Sequence, residues 1–128
     1  MNIKSPQTLV NEALSAITTI SPSQALEKSK KNECNLIDIR DAVELEKLGK
    51  IENSINIPRG LLEFMIHPES GFIQNNNLDL NKEIVLFCAA GGRSALAAKT
   101  LKEMGFNKVS HVEGGFGNMS NSGFKVIK

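Results

Sequence analysis

Apolar residues in this chain follow two rhythms that alternate along its length. Four large apolar residues in succession, Ile84, Val85, Leu86 and Phe87, predict a strand buried on both faces. From Ser94 onward the spacing lengthens. Leu96, Ala97, Leu101 and Met104 recur at helical intervals, and Gly105 is placed to end the helix in a left-handed conformation. Upstream, Leu9, Val10, Ala13, Leu14 and Ile17 form one stripe behind Ser5-Pro6, an N-cap and first-turn pair, so a helix is expected over residues 6–17. Ser21-Pro22-Ser23-Gln24 is a capping-box pattern that opens a second helix running to Lys31.

Shorter strands are expected at Leu36 to Ile39, Ser54 to Ile57 and Val109 to Val112, the second stopped by Pro58. Asp41 and Glu44 repeat the capping logic for a helix to Leu48 that Gly49 ends, and Gly60 to Ile66 reads as a helix closed near His67-Pro68. Glu69 to Leu80, with Gly71 and the asparagines Asn75 to Asn77, reads as a surface loop flanking the site, and Gly114-Gly115 precedes a short helix and a polar end. Helices set between short apolar strands imply an α/β domain with a largely parallel sheet. Ligands in such folds sit at the carboxyl ends of strands.

Cys88 falls at that place, opening Cys88-Ala89-Ala90-Gly91-Gly92-Arg93-Ser94 between the strand and the long helix. The two glycines allow successive N–H groups to turn inward, the helix start adds partial positive charge, and Arg93 offers a cation with planar donors. All three favour sulfur in its anionic, nucleophilic form. Ser94 reads as the N-cap of the helix rather than a catalytic hydroxyl. Asp38, Arg40 and Glu44 read as a strand-end polar cluster that holds the following helix. Cys34 lacks any such cradle and reads as a structural thiol, with a resolving thiol as the alternative. Nothing in the sequence pairs His67 or His111 with Cys88, so neither a cysteine–histidine dyad, a metal site nor any other cofactor is expected.

Bulk properties narrow the partners. The 128 residues suit one domain, and 15 basic against 14 acidic side chains leave a net charge of +1, which gives no general attraction to nucleic acid or membrane. Two cysteines do not make a disulfide framework, and a thiol used as a nucleophile suits a reducing compartment. With no apolar run at the N-terminus and none long enough to span a bilayer, a cytoplasmic protein is expected.

The loop and its flanks resemble the active-site loop of the rhodanese-like sulfurtransferase family, C-x-x-G-x-R-[ST], matched here by Cys88, Gly91, Arg93 and Ser94. The upstream stretch NLIDIRDAVELEKLGKIENSINIP is similar to the family's D-x-R-x-x-x-E element and its Asn-Ile-Pro turn, and VSHVEGGFGNM to its closing Gly-Gly segment. Coverage runs from Thr18 to the C-terminus, dividing the chain into an N-terminal helix, 1–17, and a domain over 18–128. The family often carries Trp after the Gly pair, where Met119 stands here.

The resemblance implies a three-layer α/β fold, a central parallel sheet flanked by helices. It implies a thiosulfate sulfurtransferase in which Cys88 takes sulfane sulfur as a persulfide and passes it to cyanide or to a thiol, on a protein or otherwise. Main-chain donors of Ala89, Ala90, Gly91, Gly92, Arg93 and Ser94 would bind the sulfur, and Arg93 the donor anion. Because Ala89 and Ala90 bring no second cation, weak thiosulfate affinity and a persulfide donor are expected. A phosphatase or arsenate reductase resembles C-x5-R, one residue longer than Cys88 to Arg93. The other alternative is a sulfur-carrying or regulatory module with little turnover of its own.

Overall fold

The apolar run at 84–87 lies in the middle strand of the sheet. The computed structural model describes residues 1–128. Helix α1 (Pro6–Leu14) leads into β1 (Thr18–Ile20), α2 (Pro22–Lys30), β2 (Cys34–Asp38), α3 (Ala42–Leu48), β3 (Lys50–Ile51) and β4 (Ile55–Asn56). A 3-10 turn (Arg59–Leu61), α4 (Leu62–Ile66), α5 (Gly71–Asn75), β5 (Glu83–Phe87), α6 (Gly92–Met104), β6 (Val109–Val112), α7 (Gly115–Met119) and β7 (Val126–Ile127) complete it. Five strands pair in parallel in the order β1-β6-β5-β2-β4. A separate antiparallel ribbon joins β3 to β7.

Side chains alternate across β5 and so divide the core in two. Ile84 and Leu86, followed by Cys88, pack with Ile37, Leu62, Ile66, Ala97, Ala98 and Leu101 under α4 and α6. Val85 and Phe87 pack on the opposite face with Ala25, Leu36, Val112, Phe116 and Met119 under α2 and α7. Helices on both faces of a parallel sheet give the expected three-layer α/β architecture. Met119 is fully buried, filling its apolar gap without an indole.

After β4 the chain returns to build β5 and then β6 on the other side of β2. The order therefore reverses between β2 and β5, and their carboxyl ends, carrying Asp38 and Cys88, flank the crevice that such a reversal leaves.

Several expectations are corrected. The N-terminal helix stops at Leu14 because residues 18–20 are needed as an edge strand against β6. The segment 69–80 is not all loop: it contains α5, capped by Ser70, and sends Ile73 and Leu78 into the core. Residues 59–66 form a 3-10 turn running into α4. The polar C-terminus ends in β7, which pairs with β3.

Candidate active site

Two carbonyls at the start of the Cys88 loop are held from below. The Cys88 carbonyl accepts the Phe116 N–H at 2.8 Å, and the Ala89 carbonyl accepts the Gly117 N–H at 3.2 Å. With both carbonyls drawn toward the first turn of α7, planarity of the trans peptides turns the following N–H groups to the other side. Gly115 allows that approach, because a Cβ there would lie 2.3 Å from the Cys88 oxygen.

The sulfur sits at the focus. Cys88 is 1% exposed, and its Sγ accepts N–H donors from Gly91 at 3.1 Å and Ser94 at 3.3 Å. Gly91, at φ +111°, is the residue that caps α6. Ser94 is therefore not the N-cap: it lies one turn inside, fully buried, with Oγ 3.5 Å from Sγ and 3.2 Å from the Gly91 carbonyl it bonds. The cap position falls to glycine because the first-turn N–H groups point at sulfur, and a capping side chain would compete for them. Ala89 and Gly92 are half-buried and Ala90 is exposed at the rim.

Arg93 does not point at the sulfur as an unpaired cation. Its guanidinium forks onto Glu44, Nη1 to Oε2 at 2.9 Å and Nη2 to Oε1 at 2.8 Å. Glu44 also accepts the Asp41 N–H at 2.9 Å, so α3 and α6 are tied through one carboxylate, held down to about 2 mainly by the Arg93 hydrogen bonds. Asp38 and Arg40 form a second pair with no exposed surface. Arg40 Nε lies 3.0 Å from Asp38 Oδ1 and Nη2 lies 2.8 Å from Oδ2, while Nη2 also donates to the Gly49 carbonyl at 3.0 Å. The Arg40 guanidinium stacks 4.0 Å from the centre of the Phe116 ring. The expected single cluster is thus two: Asp38 and Arg40 support Phe116 beneath the loop, and Glu44 works from the side on Arg93.

His111 is the residue that the sequence reading missed. It stands opposite Leu86 in the β6–β5 register and is 2% exposed. One ring nitrogen, Nδ1, lies 2.9 Å from Ser94 Oγ, and the other, Nε2, 2.9 Å from Thr19 Oγ1 on β1. Cys88, Ser94, His111 and Thr19 therefore form one continuous chain. Two polar residues, Ser110 and His111, inside a strand read as central were the available signal, since a buried polar side chain there needs a partner. Burial pushes the imidazole below its ordinary value against the opposing pull of Glu113. Beside the loop, α1 closes a cleft of about 460 Å³ whose walls include Val10, Leu14, Thr19, Gly91 and His111.

Cys34 is far from this site. It pairs with Glu83 at the opposite end of β5, five residues before Cys88 and so about 16 Å away at strand rise. Burial pushes its thiol up to about 11.

The chain has relatives among known proteins. Residues 21–122 match the rhodanese-like domain family. Among solved structures, a Rhodopseudomonas palustris protein of unknown function, described as a possible tyrosine phosphatase, is 39% identical with a TM-score of 0.85, covering 99% of this chain and 97% of that one. The polysulfide-sulfur transferase homodimer of Wolinella succinogenes is 32% identical with a TM-score of 0.74, covering 94% of this chain and 85% of its own. YrkF of Bacillus subtilis, named as a candidate sulfur carrier protein, is 35% identical over 103 residues, or 80% of this chain and 50% of that protein. The chain spans half or less of the length of the curated relatives it matches.

Proposed function

This chain belongs to the rhodanese-like domain family, and from that premise we propose that it is a sulfurtransferase working through a persulfide on Cys88. The observation that carries the proposal is the pair of main-chain donors, Gly91 and Ser94, converging on Sγ within 3.3 Å in a loop whose carbonyls are fixed from below. Such donors stabilise the anionic sulfur and, one atom further out, the terminal sulfur of a persulfide. The Cys88 thiolate attacks the sulfane sulfur of the donor. The donor's S–S bond breaks with its electron pair leaving on sulfite, when thiosulfate is the donor, or on a shortened sulfide chain. A thiolate or cyanide then attacks the outer sulfur and returns Cys88 as thiolate.

The Arg93–Glu44 pair bears on the choice of donor. A guanidinium neutralised by a bidentate carboxylate gives a dianion little to hold, and Ala89 and Ala90 add no charge. Polysulfide or a protein persulfide is favoured over thiosulfate as the working donor. The likeness to a polysulfide-sulfur transferase supports that choice. The same arrangement argues against phosphatase chemistry, since a tetrahedral oxyanion needs the longer C-x5-R loop and an arginine aimed into it. Reducing cytoplasm is the compartment in which a thiol cycle of this kind runs.

A second reading, a sulfur carrier that loads Cys88 once and delivers to a partner without rapid turnover, is supported by the depth of the sulfur and by the likeness to YrkF. Intact mass spectrometry of the reduced protein after polysulfide or thiosulfate tests both. One added sulfur that requires Cys88, survives Cys34→Ser and is removed by cyanide is expected. No gain with either donor refutes the persulfide. Loading without multiple turnover, in the presence of excess donor and thiol acceptor, assigns the carrier role.

A further inference from the structure

We propose that Ser94, His111 and Thr19 form a proton wire that drains the Cys88 thiol proton into the cleft beside α1 and returns it when the protein rests. The contacts are consecutive: Cys88 Sγ to Ser94 Oγ at 3.5 Å, Ser94 Oγ to His111 Nδ1 at 2.9 Å, and His111 Nε2 to Thr19 Oγ1 at 2.9 Å. The first three residues are buried, whereas Thr19 is exposed on the wall of the cleft. A thiol sealed under its loop needs a route for its proton, and this chain of hydrogen bonds ends on a side chain open to water.

Both ends of the transfer are satisfied by a neutral imidazole. In the thiol state S–H donates to Ser94 Oγ, the single Ser94 O–H turns from the Gly91 carbonyl at 3.2 Å, which keeps the Ala95 N–H, to the nearer Nδ1 at 2.9 Å, and Nε2–H donates to Thr19, whose own proton faces water. On transfer the S–H bond breaks and a new O–H forms at Ser94, while the proton Ser94 held passes to Nδ1. The Nε2 proton passes to Thr19, and the Thr19 proton leaves to water in the cleft. The product has Thr19 donating to Nε2, Nδ1–H to Ser94, and Ser94 O–H to the thiolate. The net change is one proton passed from sulfur to water, no bond between heavy atoms is altered, and the two states differ by the tautomer of His111.

The surroundings suit that role. The hydrogen-bond partners of the imidazole are Thr19 from β1 and Ser94 from α6, neither of them charged, and Gln7 from α1 and Glu113 share the cleft wall with it. Glu113, just past the end of β6, is the charged group that acts on it. Burial outweighs Glu113 and favours the neutral ring. His111 is thus a positioning residue that acts on Cys88 through Ser94.

The wire rests on Cys88 being the nucleophile of the sulfur cycle, but its test needs no sulfur transfer. Long-range proton–nitrogen correlation spectra of the ¹⁵N-labelled protein read the tautomers of its 2 histidines, the exposed His67 serving as reference. As pH rises through the interval in which Cys88 becomes reactive toward iodoacetamide, His111 is expected to switch from Nε2–H to Nδ1–H, and in Cys88→Ala it is expected not to switch. An unchanged tautomer across that interval, or the same change in Cys88→Ala, overturns the wire. In parallel, Ser94→Ala and His111→Leu are each expected to slow alkylation at pH 7 about tenfold, and the double variant no further, because the contacts act in series. Alkylation of His111→Leu at the wild-type rate, or additive losses, also overturns it. Should His111→Leu fail to fold, the tautomer measurement on the unaltered chain decides alone. A tautomer switch in a protein that never gains sulfur would refute the sulfurtransferase reading and leave the wire standing.

Discussion

A single methyl group at position 115 should dismantle the cradle. An alanine Cβ there would lie 2.3 Å from the Cys88 carbonyl oxygen, 2.9 Å from the Ala89 carbonyl carbon and 3.0 Å from its oxygen. All three are backbone atoms, so no rotamer change relieves them, and the φ of +55° at residue 115 adds left-handed strain of about 1–2 kcal/mol for any side chain. To make room, α7 must move away from the loop. That movement breaks Phe116 N–H to Cys88 at 2.8 Å and Gly117 N–H to Ala89 at 3.2 Å. Leaving the buried Phe116 N–H and Cys88 carbonyl unpaired costs about 1–3 kcal/mol each, whereas the exposed Gly117 N–H can turn to water. The total, about 3–8 kcal/mol, lowers the thermal midpoint by roughly 10–30 °C for a domain of this size. Two other glycines calibrate the result. Gly105 has φ +111° but nothing within 4 Å of a Cβ, so Gly105→Ala should cost only the backbone strain, about 1–2 kcal/mol. Gly60 has neither constraint, and Gly60→Ala should be neutral or stabilise by up to about 1 kcal/mol. Urea denaturation followed by circular dichroism is the assay, because with 0 Trp and 0 Tyr the chain has no useful fluorescence signal. If Gly115→Ala loses no more than Gly105→Ala, the close approach of α7 to the loop is not what holds the site.

Other substitutions test the charged pairs and the second thiol. Asp38→Asn strands the fully buried Arg40 guanidinium and should cost about 3–5 kcal/mol in urea denaturation. A loss under 1 kcal/mol would show the pair to be dispensable. The Glu44 carboxyl is held at about 2 against an ordinary 4.5, so the stability it contributes is complete above pH 4.5 and drains as pH falls toward 2. Discounted for its solvent exposure this amounts to about 1 kcal/mol, and the pH dependence of Glu44→Gln should be correspondingly flatter between pH 4.5 and 2. The same variant releases Arg93, and KM for thiosulfate should fall severalfold with little change in kcat. An unchanged or higher KM would mean that Arg93 does not sense the donor. Cys34, pushed up to about 11, should resist iodoacetamide at pH 8 while Cys88 is alkylated, as peptide mapping would show.

Local signals predicted the local structure well. The unbroken run at 84–87 marks a strand covered on both faces, and Ser21-Pro22-Ser23-Gln24 forms the capping box that its spacing implies, with Gln24 N–H on Ser21 Oγ at 3.1 Å and Ser21 N–H on Gln24 Oε1 at 2.8 Å. Gly49 and Gly105 end their helices as expected. What escaped was set by distance along the chain. Two-residue strands such as β3 and β7 are too short to show a period, and each exists because the other is beside it. The asparagines of 75–77 hid α5, whose reason to fold is the burial of Ile73 rather than helix propensity. Arg93 and Glu44 are 49 residues apart, and only the packing of α3 beside the loop reveals that each has found its partner. His111 and Ser94 were each visible as polar residues, but their meeting depends on the β5–β6 register.

The hold of α7 on the loop also separates the completeness of the motif from the completeness of the site. All five strands of the main sheet end by Val112, and the whole stretch from Cys88 to Ser94 lies upstream of that residue. A chain cut after Glu113 would retain the signature, the long helix and the sheet, yet it would lack the amides that pull the Cys88 and Ala89 carbonyls into place. Exchange of the Phe116 and Gly117 amide hydrogens should accordingly report on the Cys88 loop itself, the two opening as one cooperative unit. The Cys88–Ser94 segment is contiguous, but the information that shapes it is written in the tail that follows.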